Sequence, residues 1–247
     1  MTLGLSNLIW VIPMLKINKL NAYYGESHIL KDVSVSVGRG QVVVMLGPNG
    51  HGKSTLLKSI CGLVEKIDGE ILYDGQDIVG LASDKIVNLG ITYIAENREL
   101  FPYMSVLENL KLGAYAKTAR SHEKENLEKV FSLFPRLAQR KKQMASTMSG
   151  GEAKMLAIAR GLMSNAELLC VDEPALGLQP SYRMEIIKII KAISEQGKTV
   201  LIVEQNIPQI TEMADKIYIM EEGSISFEGN QDDALSNEHL KEIFLGL

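Results

Sequence analysis

The chain alternates between short apolar runs and stretches of helical period, and that alternation predicts its elements. Leu15-Lys16-Ile17-Asn18-Lys19-Leu20 and Val33-Ser34-Val35-Ser36-Val37 carry apolar residues at every second position, as half-buried antiparallel strands do, with His28-Ile29-Leu30 between them. Val42-Val43-Val44-Met45-Leu46 is apolar throughout and reads as a buried strand. Asp68 to Gly75 reads as two strand pieces joined by turn chemistry, and Ile91-Thr92-Tyr93-Ile94-Ala95 returns to a strand pattern. From 104 to 163 strand character is lost. Leu127, Val130, Phe131 and Phe134 fall on one helical face, with Glu123, Lys124, Glu125 and Glu128 on the rest. Strands resume at Leu168-Leu169-Cys170-Val171 and at Thr199-Val200-Leu201-Ile202-Val203. Between them Ile186, Ile187, Ile190 and Ile193 mark a helix that Gly197 would cap. Ile217 to Met220 and Ser224 to Phe227 flank the turn Glu221-Glu222-Gly223 as a hairpin, and a short helix closes the chain.

Composition narrows the class without naming it. Of 247 residues, 46% are hydrophobic and 23% charged, as expected of one globular α/β domain with an insertion. A net charge of −4 argues against binding nucleic acid by neutralising phosphates, and Arg140-Lys141-Lys142 reads as a solvated helix end. Cys61 and Cys170 lack metal-ligand spacing and read as small buried residues. No apolar run approaches the roughly 20 residues of a membrane span. Leu8 to Ile12 makes a poor signal peptide. Residues 1–13 are expected to be an extension or a mis-assigned start, weakly ordered, with the first strand beginning at Met14.

The chemistry is concentrated after the buried strand at 42–46. Gly47-Pro48-Asn49-Gly50-His51-Gly52-Lys53-Ser54-Thr55 has the form G-x-x-x-x-G-K-[ST] between that strand and a helix. Glycines permit a tight loop whose N–H groups point inward, and the helix start adds its unpaired donors and positive dipole end. Lys53 would reach the β- and γ-phosphates, and the Ser54 hydroxyl would ligate Mg²⁺. His51 inside the loop reads as a solvent-facing passenger before it reads as a ligand. Tyr24, upstream of the cradle, offers a ring to stack on adenine, against the plainer reading of a rim residue.

Two further constellations follow. Asp172 and Glu173 end an apolar strand, where open α/β sheets bind ligands. Asp172 would hold the Mg²⁺ shell and Glu173 would act as general base on the attacking water, the plain alternative being an acidic turn. Ser149-Gly150-Gly151-Glu152 opens a helix as a capping box, which suffices structurally. The paired glycines also make a second anion-accepting helix N-terminus, more than one nucleotide needs.

In this order and spacing, the cradle, Ser149-Gly150-Gly151-Glu152 and the Asp172-Glu173 strand resemble the ATP-binding subunit of an ABC transporter over about residues 14–247. The resemblance implies a P-loop NTPase (RecA-like) core at 14–95 and 164–247, with an N-terminal antiparallel β layer and an inserted α-helical subdomain at 96–163. It implies ATP and Mg²⁺ as cofactors, and two subunits closing head to tail, the 149–152 segment of one pressing on the γ-phosphate held by the other. Glu96 stands where the family's hinge glutamine would be, a further metal-side candidate. Gln205 stands where a switch histidine is usual, and can hydrogen-bond the γ-phosphate or the water without carrying a proton-linked charge. Gln179 replaces a common aspartate. Glu204-Gln205-Asn206, Leu100-Phe101-Pro102 and Leu176-Gly177-Leu178 resemble the branch serving importers of branched-chain amino acids and of amides and urea. That branch pairs two non-identical ATPases on the cytoplasmic face of the membrane with permease subunits and, indirectly, an extracytoplasmic solute-binding protein. Exporter ATPases and soluble assembly ATPases of the same fold are the alternatives. Ala153-Lys154 departs from the branch, which has glutamines there; Lys154 would either approach the partner's nucleotide or stay solvated.

Overall fold

The computed structural model describes residues 13–205 and 208–236. The expectation for the N-terminal extension therefore lies outside the described residues, apart from Pro13. The chain runs β1 (Leu15–Tyr24), β2 (Ser27–Val37), β3 (Val42–Leu46), α1 (Lys53–Ile60), β4 (Lys66–Tyr73), β5 (Gln76–Asp77), α2 (Ser83–Leu89) and β6 (Ile91–Ile94). Helices then follow without an intervening strand: α3 (Val106–Gly113), α4 (Lys117–Arg120), α5 (Glu123–Leu133), α6 (Pro135–Gln139) and α7 (Gly150–Leu162). The chain re-enters the sheet with β7 (Leu168–Asp172), α8 (Pro180–Glu195), β8 (Thr199–Glu204), α9 (Pro208–Thr211), β9 (Lys216–Glu221), β10 (Ser224–Gly229) and α10 (Gln231–Ser236).

Two sheets result, one ordered β2-β1-β4-β5 and antiparallel, the other β10-β9-β3-β8-β7-β6. In the second, β9, β3, β8, β7 and β6 run parallel and only β10 is antiparallel. The uninterrupted apolar runs are those of strands buried on both faces. In β3, Val42, Val44 and Leu46 join a core shared with α3, α5, α7 and α8, while Val43 and Met45 join a second core with α1 and the antiparallel sheet. The pieces expected at 28–30 and 33–37 form one strand, with a register irregularity near Asp32, whose φ is +51°. Of the expected helical face, Val130 and Phe134 are buried and Leu127 and Phe131 pack partly buried beside them. Gly197, at φ +84°, follows the end of α8 in the left-handed conformation that a side chain disfavours.

This topology positions the chemistry. β8 lies between β3 and β7, and the register sets Leu46 beside Glu204 and Asp172 beside Val203. The cradle, Gln205 and the Asp172-Glu173 turn therefore emerge side by side from the C-terminal ends of adjacent parallel strands, where α/β sheets place ligands.

Candidate functional site

The cradle is shaped by its glycines. Gly47 has φ +154°, and a Cβ there would fall 2.2 Å from the Met220 carbonyl oxygen, so only glycine lets the loop leave β3 against β9. Gly52, at φ +102°, is the residue from which α1 starts. Lys53 is buried: its Nζ donates to the carbonyls of Gly47 (2.7 Å) and Pro48 (3.0 Å) and ion-pairs with Glu173 Oε1 at 3.4 Å. Ser54 Oγ donates to Asp172 Oδ1 at 2.9 Å. The paired metal candidates of the sequence, 54 and 172, are thus in direct contact across 118 positions of chain. A cavity of about 420 Å³ is lined by Asn49, Gly50, Lys53, Thr55, Glu96 and Glu173, among others.

Glu173 is 4% exposed and has φ +42°, a strained conformation for a residue with a side chain. Burial raises the pKa of its carboxyl above the ordinary carboxylate value, and the Lys53 ammonium opposes that shift. A carboxylate in these surroundings holds a proton more readily than one in water, as a general base working near neutrality must. Asp172 is 1% exposed, and its second oxygen accepts from Tyr93 Oη at 2.6 Å. Burial and that bond to Asp172 push the Tyr93 hydroxyl well above the ordinary phenol range, so Tyr93 is a fixed donor. Among the described residues no group of three or more His, Cys, Asp or Glu side chains is arranged to hold a metal. A hydroxyl touching one carboxylate beside a phosphate cradle suits Mg²⁺, which takes one or two protein carboxylates and completes its shell with substrate oxygens and water.

Other predicted residues stand apart from this cavity. Tyr24 ends β1 and is 46% exposed; its neighbour Tyr23 is stacked on His28 with ring centroids 4.4 Å apart. Ser149, Gly150, Gly151 and Glu152 do not line the cradle cavity. Ser149 Oγ accepts from the Glu152 N–H (3.4 Å), Glu152 Oε2 accepts from the Ser149 N–H (3.0 Å), and Glu152 Oε1 pairs with Arg140 at 2.7 Å. Those bonds, the one from the Ser149 N–H above all, hold the Glu152 carboxyl below its ordinary pKa. Ser149 and Gly150 remain exposed at the head of α7. Gln205 is exposed and also outside the cavity, its N–H donating to Glu204 Oε2 at 3.3 Å.

The structure corrects two expectations. His51 is not a passenger: its Nδ1 accepts from the Glu222 N–H at 3.0 Å and its carbonyl from the Gly223 N–H at 3.1 Å, which ties the cradle to the β9–β10 turn. Lys154 neither reaches outward nor stays solvated. It is 3% exposed, and its Nζ donates to the carbonyls of Glu96 (3.0 Å) and Asp172 (3.3 Å). Turned inward, it joins α7 to the strand ends that carry Glu96 and Asp172; burial lowers its pKa, and the charges of Asp172, Glu204 and Glu96 oppose that.

Sequence reasoning passed over Tyr93 and Glu204. Tyr93 lies inside an apolar strand, and only the β6–β7 pairing, Tyr93 beside Cys170, brings its hydroxyl to Asp172. Glu204 carried the signal used for Asp172, an acid at the end of a buried strand.

A phosphate cradle after a central parallel strand, with an acidic strand end closing it, defines a P-loop nucleotide hydrolase. Comparison with known proteins names the kind: the ABC transporter family profile matches residues 30–176. The Pseudomonas aeruginosa high-affinity branched-chain amino acid transport ATP-binding protein BraG is 42% identical over 94% of this chain and 100% of its own. An Archaeoglobus fulgidus relative, named as a probable branched-chain amino acid transport ATP-binding protein LivF, is 37% identical over 95% of this chain and 99% of its own. Among solved structures, a nucleotide-free ATP-binding cassette from an ABC transporter superposes with a TM-score of 0.82 at 29% identity, covering 94% of this chain and 98% of that one. The chain belongs to the ABC transporter family, as one of its ATP-hydrolysing subunits.

Proposed function

We propose that this subunit powers membrane import of branched-chain amino acids or related small polar solutes. The solute class rests on the likeness to BraG and LivF. The hydrolytic role of these particular residues rests on one observation: Lys53, Ser54, Asp172 and Glu173 converge at the cradle through contacts of 2.9 Å and 3.4 Å. Lys53 and the loop N–H groups bind the β- and γ-phosphates, and Glu173 takes the proton from the attacking water. Ser54 and Asp172, with Glu96 at the rim, would hold Mg²⁺, which supplies neutralising charge across the phosphates. Arriving phosphate oxygens compete with Glu173 for Lys53, so binding frees the base.

The domain reading is a core at 14–95 and 164–247 with a helical insertion at 96–163. Ser149 and Gly150 lie outside the cradle cavity, and their exposure suits contact with nucleotide on a second ATPase; Tyr24 is the base-stacking candidate and Gln205 the γ-phosphate contact. No described helix is long and apolar enough to cross a membrane; membership of a transporter family assigns the path to permease subunits. A cleft of about 580 Å³, where Leu63, Phe101 and Tyr115 are exposed, suits an apolar segment of that permease, and the chain would dock there from the cytoplasmic face. Arg98 and Arg160 also line it, favouring acidic residues on the incoming segment.

Lys53→Ala in the assembled transporter tests the reading. Nucleotide affinity and solute uptake should both collapse; wild-type uptake by that variant would refute it.

A further inference from the structure

Glu204 has no place in the mechanism above, yet both of its carboxylate oxygens are engaged by main-chain N–H groups. It is 1% exposed at the end of β8. Its Oε1 accepts from the Ala175 N–H at 3.0 Å and its Oε2 from the Gln205 N–H at 3.3 Å. The β7–β8 ladder stops at Asp172 beside Val203, and the Glu173 N–H then donates to the Val203 carbonyl at 3.0 Å. The Glu204 carboxylate carries the pairing beyond the last strand residue. It grips the segment just after the general base with one oxygen and the switch position with the other.

We propose that Glu204 is a positioning residue for hydrolysis: ionised, it holds the Glu173 turn and Gln205 in a single arrangement, and protonated it releases them. A carboxylate accepts two N–H bonds, whereas a carboxylic acid turns one oxygen into a donor that cannot face an N–H. The ionisation falls in a useful range. Burial raises the pKa of the Glu204 carboxyl to about 7, the Glu173 carboxylate on the β7–α8 turn adds to the shift, and Lys154 on α7 opposes it, as do the two N–H bonds. This inference rests on the reading of Glu173 as the base.

The test is single-turnover ATP hydrolysis by the full-length chain, in excess over ATP, across neutral pH. With a site titrating at about 7, the wild-type rate should rise about tenfold from about pH 6 to about pH 8. Glu204→Gln, a fixed mimic of the protonated form, should stay flat near the acid limb, with ATP affinity within about twofold of wild type. A Glu204→Gln chain that keeps the wild-type pH profile overturns the proposal. Glu173→Gln is the control: if it hydrolyses like wild type, the reading of the site fails rather than this inference. Should Glu204→Gln not fold or be too slow to read, Lys154→Gln decides. Removing the opposing cation should move the inflection upward, and an unmoved inflection overturns the proposal.

Discussion

Asp172 keeps its geometry through two hydroxyls, and they are not equivalent. In the proposed site Ser54 would turn its oxygen toward Mg²⁺, whereas Tyr93 stays on the other carboxylate oxygen at 2.6 Å and fixes the carboxyl plane. Tyr93→Phe removes only that bond, and losing a hydrogen bond to a charged group costs about 1.5 kcal/mol. The Mg²⁺ concentration giving half-maximal nucleotide binding should rise about tenfold, while Mg²⁺-free affinity for nucleotide stays within about twofold; equal Mg²⁺ titrations would refute it. Glu204 makes a second prediction, in stability. Its carboxyl titrates at about 7 in the fold against a reference of 4.5. Between those values the native state binds more protons than the unfolded chain, so this site's contribution to stability falls as pH rises through the window and levels off above it. Glu204→Gln removes that loss. Above neutral pH it should be more stable than wild type by up to about 3 kcal/mol in urea titrations, and near pH 5 it should show little gain.

At the scale of elements, α7 and its N-cap join two jobs within six residues of sequence. Its exposed head carries Ser149 and Gly150, and one turn on Lys154 grips the Glu96 and Asp172 carbonyls. Gly151 fixes where that head sits, because a Cβ there would lie 2.5 Å from the Tyr182 ring on α8. Gly151→Ala must push α7 from α8, an overpacking that costs about 1–3 kcal/mol. Thermal unfolding should move down accordingly, with nucleotide affinity at the cradle preserved; a melting temperature equal to wild type would show that Tyr182 yields freely. How much of this was legible follows from range. β3, β7 and β8 announce themselves because strands buried on both faces must be apolar throughout, and the cradle is contiguous in sequence. The capping box at Ser149 and Glu152 was readable for the same reason, being local. α2 was not, since it is seven residues long and buries only Ile86, too little for a helical face to register. Lys154 was misread because its partners lie 58 and 18 positions away, and a lysine that satisfies its donors on main-chain carbonyls leaves no acidic partner in the sequence to betray it. Strand order was hidden likewise: nothing local says that β8 separates β3 from β7, and that order is what makes Glu204 a neighbour of the base.

For the molecule as a whole, the decisive feature is that the cradle and the proposed second anion site at Ser149 and Gly150 do not share a cavity. Lys53, Glu96 and Glu173 line one, and Ser149 and Gly150 stand exposed elsewhere on the chain. Donors aimed at a γ-phosphate are worth about a hundredfold each in rate when they are in place, so a chain closing its cradle alone forgoes most of its catalysis. Two copies could supply both halves, but each composite site would then carry Gln205, which can orient a water or a phosphate oxygen and cannot donate a titrating proton. Slow turnover is therefore expected of this chain by itself, rising steeply with its concentration as pairs form. Addition of a second, histidine-bearing ATPase should raise turnover per cradle by at least about tenfold. The mixed pair also separates the two cradles, since Glu173→Gln in this chain silences only the site built on its own Lys53. Steady-state turnover of the mixed pair should fall by more than half if the sites fire in alternation, and by well under half if they fire independently, because the histidine-bearing site then carries most of the turnover. Brisk turnover by this chain alone, abolished by Glu173→Gln, would show instead that the chain is a self-sufficient homodimer.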